Sequence, residues 1–158
     1  MLTRLLQYLR RAEEGFILLL LSAMILLAAT QIALRNLWES GIAWGDPLLR
    51  VLVLWVGMFG AMLASRNNQH IRIDVLSHYL SPQWQRYSNL LTQLFSSVIC
   101  TLLAWHSARF VYFEWQDGAE LFSGVPVWLA ESILPLGFGV MTLRFLLTAL
   151  HTLKGDRR

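Results

Sequence analysis

The chain has one cysteine in 158 residues. Cys100 lies within an apolar run, so there is no internal disulfide and no CxxC redox pair, and packing is its expected role. Charge is also scarce, at 15% of residues against 56% hydrophobic, with a mean hydropathy of +0.49. That balance is foreign to a soluble domain and ordinary for a membrane protein. The longest polar connection, about 65–89, is too short to bury a core of its own. A soluble catalytic domain, a nucleotide-binding domain and a receptor domain are thereby excluded. No nucleophile, base and orienting group stand at meaningful spacing, so an enzyme is not expected. Nor is a nucleic-acid partner.

What is present are four apolar segments, about 16–34, 47–64, 90–112 and 127–150. A bilayer core needs roughly 20 apolar residues per helix, so the chain reads as one all-α membrane domain, 1–158, of four transmembrane helices. Arg4, Arg10 and Arg11 precede the first segment like the basic start of a signal peptide. The apolar run is too long for one, and Ala28-Ala29-Thr30 is a poor cleavage site, so an uncleaved helix is expected.

Two of the three connections lack basic residues away from helix ends. They carry Glu39 and Asp46, then Glu114, Asp117 and Glu120. Arginine and lysine gather instead in the amino-terminal tail, in the central loop (Arg66, Arg72, Arg86) and in the carboxy-terminal tail (Lys154, Arg157, Arg158). The positive-inside rule then predicts both termini and the central loop in the cytoplasm. Trp38, Trp44, Trp115 and Trp128 form an outer aromatic belt, with Trp84 and Tyr87 on the inner side. Trp55 and Trp105 sit deeper and are expected to pack between helices.

The stretch LASRNNQHIRIDVL, 63–76, ends the second apolar run with a polar cluster. Its alternation of Ile71, Ile73 and Val75 suits a strand, but a lone strand at lipid leaves its backbone groups unsatisfied. On a helical wheel Arg66, His70, Asp74, Ser77 and His78 share one face. Ile73, Val75, Leu76, Tyr79 and Leu80 share the other, with Arg72 able to snorkel. A short amphipathic helix over 66–80, lying in the membrane interface, is expected; a plain solvated connector is the alternative.

Ionisable residues within spans are functional candidates, since a charge at bilayer centre costs roughly 2.5–3.5 kcal/mol on insertion scales. Arg35, Arg50, Arg109 and Glu131 lie toward the outer side and Arg144 toward the inner side. None is central, so snorkelling or structural pairing is expected, with Asp46 and Arg50 spaced for an end-of-helix pair. The absence of a mid-span acid argues against a self-sufficient proton-coupled carrier. His106 is inside a span, but His70, His78 and His151 are at its edge, so a metal or haem site lacks a second ligand at matching depth.

Gly57 with Ala61, and Gly60 with Ala64, permit close helix approach, within the bundle or to a partner. In the fourth span, Pro135 of LPLGFG invites a kink; lining an ion site is the other reading. The acidic stretch FEWQDGAELFSGVP, 113–126, is either a solvated hairpin with interfacial aromatics or part of a docking surface.

Arg35, Trp44-Gly45-Asp46, Arg50, Trp55, Gly57, Gly60-Ala61, Arg66 and His70-Ile71-Arg72-Ile73-Asp74, in that order, resemble the small membrane (DctQ-like) subunit of tripartite ATP-independent periplasmic (TRAP) transporters. One departure is Pro47, where the family often has a second acid. The resemblance implies a bacterial inner-membrane subunit that braces a large membrane subunit during sodium-coupled import of small organic acids. Sodium is expected in the large subunit, with no cofactor or metal here. A periplasmic substrate-binding protein is the further partner, through outer loops 36–46 and 113–126, and membrane lipids surround the spans. A stand-alone four-span exporter and a haem-binding membrane anchor are the alternatives.

Overall fold

The computed structural model describes residues 2–67, 82–122 and 124–154. Helix α1 runs Leu2–Trp38, α2 Gly45–Asn67 and α3 Pro82–Asp117; a hairpin of β1, Glu120–Phe122, and β2, Val125–Pro126, leads into α4, Val127–Glu131, and α5, Ile133–Lys154. Four helices are long and apolar enough to cross a membrane, over Gly15–Leu37, Gly45–Arg66, Gln83–Asp117 and Val127–Leu153. These contain the four segments expected from hydropathy. The proposed interfacial helix over 66–80, with His70 and Asp74, falls almost wholly outside the described residues.

Local chemistry sets the boundaries. Past α1, Glu39 takes a left-handed conformation at φ 48°, which turns the chain into a short corner ahead of α2. Pro82 opens α3, where a missing N–H costs nothing. Gly118 and Gly124, at φ 64° and 82°, allow the turns before and within the hairpin. In the hairpin, Glu120 pairs with Pro126 and Phe122 with Val125, antiparallel.

Pro135 interrupts the hydrogen-bond ladder of the fourth span. It lies in the first turn of α5, and the helix breaks ahead of it, at Ser132 between α4 and α5. Proline has no N–H for the carbonyl four residues back, Glu131, while Ser132 keeps a right-handed helical conformation and helical bonds continue on either side, from the Ser132 N–H to Trp128 and from the Leu136 N–H to Ser132. Trp55 uses the break. Its indole N–H donates to the Ala130 carbonyl at 2.8 Å, tying α2 to α4.

α3 and α5 form the most extensive pairing, α1 packs on α2, and α2 packs on α5. Met58, Ile133 and Met141 are buried at the centre, with Leu54, Trp55, Phe59, Met62, Cys100, Leu134, Phe138 and Phe145 around them. A Cβ at Gly137 would overlap the Met58 methyl, so the end of the Met58 side chain fills the space that glycine leaves between α2 and α5. Trp105 does not join this core. It is 65% exposed, because the α5-facing side of α3 carries other residues, including buried Ser97 and half-buried Cys100.

Candidate functional site

Polar side chains tie the bundle at both ends. At the corner end, Gln31 stands on α1 in an otherwise apolar run and is 4% exposed. Its amide reads the corner backbone in both senses: Nε2 donates to the Ile42 carbonyl at 3.0 Å, and Oε1 accepts from the Ile42 N–H at 3.1 Å. Nε2 also donates to Asp46 Oδ1 at 3.1 Å. One turn along the same face of α1, Arg35 Nη2 meets Asp46 Oδ2 at 2.6 Å. A Cβ at Gly45 would lie 2.9 Å from Gln31 Oε1. The glycine is therefore what lets the corner close over the amide.

The two parts of this clamp contribute unequally. The Arg35 and Asp46 side chains are 63% and 44% exposed, and an exposed ion pair contributes about 0–1 kcal/mol. Gln31 is buried, and stripping its partners from buried backbone costs about 1–3 kcal/mol. The amide is the stronger element. The spacing-based pairing of Asp46 with Arg50 is corrected here. Both Asp46 oxygens engage α1, and Arg50 is exposed with no ion pair among the described residues. Pro47 sits in the first turn of α2 beside this clamp.

At the opposite end, Glu13 of α1 receives Arg66 of α2 at 2.6 Å and Arg144 of α5 at 3.6 Å. Arg144 also donates to the Met62 carbonyl. Three helices meet on one carboxylate. Beside them Arg86 of α3 donates to the carbonyls of Thr152 and Leu153, at 3.1 and 2.8 Å, near the end of α5.

The remaining candidates fall apart from these clamps. Arg109 lies over the Phe113 ring, 5.9 Å from its centroid. Glu131 Oε2 is buried without a hydrogen-bond partner among the described residues. His106 is exposed, and no group of three or more His, Cys, Asp or Glu side chains among the described residues could hold a metal. Trp44, Trp84 and Trp115 are exposed and Trp128 half-buried, while Trp38 closes α1. Trp44 stands 6.5 Å from Phe122, centroid to centroid, so the corner and the hairpin form one surface.

On α2, Gly57, Gly60, Ala61 and Ala64 recur at the spacing of one helical face. A Cβ at Gly57 or Gly60 would meet nothing within 4 Å, and Gly57, Ala61 and Ala64 are exposed. The core contacts of α2 come from Leu54, Trp55, Met58, Phe59 and Met62. Among the described residues, the small face is therefore not used for packing inside this bundle.

Sequence reasoning missed Gln31 and Glu13. Gln31 carried a legible signal, a lone amide in an apolar span four residues before Arg35. Glu13 carried none, since an acid at the mouth of a span looks like any solvated residue.

The four apolar helices agree with what comparisons to known proteins show. The family model described as "Tripartite ATP-independent periplasmic transporters, DctQ component" matches residues 24–155. The C4-dicarboxylate TRAP transporter small permease protein DctQ of Rhodobacter capsulatus is 31% identical over 129 residues, spanning 77% of this chain and 54% of that protein. The ectoine TRAP transporter small permease protein TeaB of Halomonas elongata is 27% identical over 105 residues, spanning 66% of this chain and 54% of that protein. The sialic acid TRAP transporter permease protein SiaT of Haemophilus influenzae is 25% identical over 140 residues, 89% of this chain but 23% of that protein. The chain thus spans less than two thirds of the length of each of these three relatives. Because the family match runs through all four apolar helices, the chain belongs to the DctQ component family of tripartite ATP-independent periplasmic transporters.

Proposed function

We propose that this protein is the small permease subunit of a TRAP secondary transporter and braces the large membrane subunit during sodium-coupled uptake of a small organic acid. The observation that carries this reading is the open small-residue face of α2. Gly57, Gly60, Ala61 and Ala64 leave room for another helix backbone to approach closely, and no helix among the described residues fills it. Polar clamps at both ends hold the bundle as a stiff body, which suits a stationary support. Transport chemistry and the sodium site belong to the large subunit. Named relatives serve C4-dicarboxylate, ectoine and sialic acid transporters, so the family leaves the individual substrate open.

Sidedness follows from charge. The Glu13, Arg66, Arg144 and Arg86 end faces the cytoplasm of a bacterium, with both termini, in the inner membrane. The corner and hairpin, 36–46 and 113–126, face the periplasm and receive the substrate-binding protein. The acids Glu39, Glu114, Asp117 and Glu120 favour a basic docking surface there. The whole chain acts as one domain.

Affinity purification in mild detergent from the native host tests the core of this reading. A much larger multi-span membrane protein is expected to co-purify in fixed ratio. Recovery of this chain alone, or as a homodimer active in transport, would contradict it.

A further inference from the structure

α3 is 36 residues long, about 54 Å at 1.5 Å per residue, against a hydrocarbon layer of about 30 Å. Part of it therefore stands at headgroup depth. Its first turns show the chemistry of that layer. Trp84 and Tyr87 are 67% and 69% exposed, and such amphipathic rings settle where lipid meets water.

Between these turns and the end of α5 lies a cavity of about 430 Å3 lined by Gln83, Arg86, Tyr87, Leu90 and Leu153. The lining is graded. Gln83, Arg86 and Tyr87 are polar, and Leu90 lies one helical turn beyond Arg86, toward the centre of the span. Arg86 is held in place by the Thr152 and Leu153 carbonyls through its Nε and Nη2. Those acceptors are neutral. No carboxylate lies within ion-pair distance of Arg86 among the described residues, so among them its positive charge is oriented by neutral acceptors alone. Nη1 is left to donate.

We propose that this cleft seats one anionic phospholipid, with its phosphate on Arg86, Gln83 and Tyr87 and an acyl chain along Leu90 and Leu153. A positive, donor-rich mouth at headgroup depth above an apolar floor matches the two halves of that molecule. The proposal requires that the chain spans a membrane and is independent of the bracing role.

Native mass spectrometry of the purified full chain, titrated with phosphatidylglycerol or phosphatidylcholine, tests it. The wild type is expected to retain phosphatidylglycerol about fivefold better, the preference that one basic side chain at the surface supplies. Arg86→Gln is expected to abolish the preference, and Arg86→Lys to keep part of it. Because Arg86 also caps α5, Leu90→Trp provides a second variant, filling the floor with the cap intact. It is expected to lower retention of both lipids. Equal retention of phosphatidylglycerol by wild type, Arg86→Gln and Leu90→Trp would overturn the site. Displacement by inorganic phosphate at the same concentration as the lipid would show a plain anion site and overturn the lipid assignment. Protection of the cleft by the large subunit, with no lipid retained in the complex, would also overturn it.

Discussion

Gln31 contributes more to the bundle than the ion pair beside it, because burial decides what a polar contact is worth. Replacing it with leucine leaves the Ile42 N–H and one Asp46 oxygen without their donor or acceptor, and the variant is expected to lose about 1–3 kcal/mol. Arg35→Ala should cost under about 1 kcal/mol. Thermal unfolding of the purified subunit in one detergent measures both, and an Arg35→Ala variant less stable than Gln31→Leu would reverse this ranking. Glu131 presents the opposite case. One of its oxygens is buried with no donor among the described residues, so Glu131→Gln removes a desolvated charge and should raise the unfolding midpoint, by the equivalent of about 1 kcal/mol. A lowered midpoint would show that a partner group satisfies the carboxylate. Residue chemistry was only partly legible in the sequence. The Asp46–Arg50 spacing was genuine, but spacing along one helix says nothing about a competing arginine on another. Arg35 and Gln31 reach Asp46 because the corner at Glu39 folds α1 back against α2.

The helices themselves were readable, because twenty apolar residues in a row have few alternatives in lipid. Which face of each helix turns inward was not. Small residues on α2 invited a contact, yet the glycine that the bundle uses is Gly137 on α5, against Met58. Likewise Trp105, apolar and central in its span, faces outward, since hydropathy cannot distinguish a lipid-facing ring from a packed one. The two glycine faces should therefore respond differently. Gly137→Leu is expected to destabilise the isolated subunit by about 1–3 kcal/mol, as overpacking does. Gly60→Leu should leave its unfolding midpoint nearly unchanged, because a Cβ there meets nothing within 4 Å. Equal loss in both variants, read by thermal unfolding, would mean that the α2 face is covered within the subunit.

For the whole molecule, the contacts from Glu13 to Arg66 and Arg144, and from Arg86 to Leu153, gather parts of α1, α2, α3 and α5 at one end. Arg66, Arg86 and Arg144 lie at that end too, which is the end we propose for the cytoplasmic face. Single-cysteine labelling in a Cys100→Ser background checks this. Position 68 should resist an impermeant reagent applied from outside intact cells, and labelling there would invert the topology.

The bracing role rests on the open face of α2, and Gly60→Leu in the assembled transporter tests it most directly. Co-purification of the large subunit and substrate uptake should both fall at matched expression, while the subunit itself stays folded. Normal recovery of the complex with normal uptake would contradict the account.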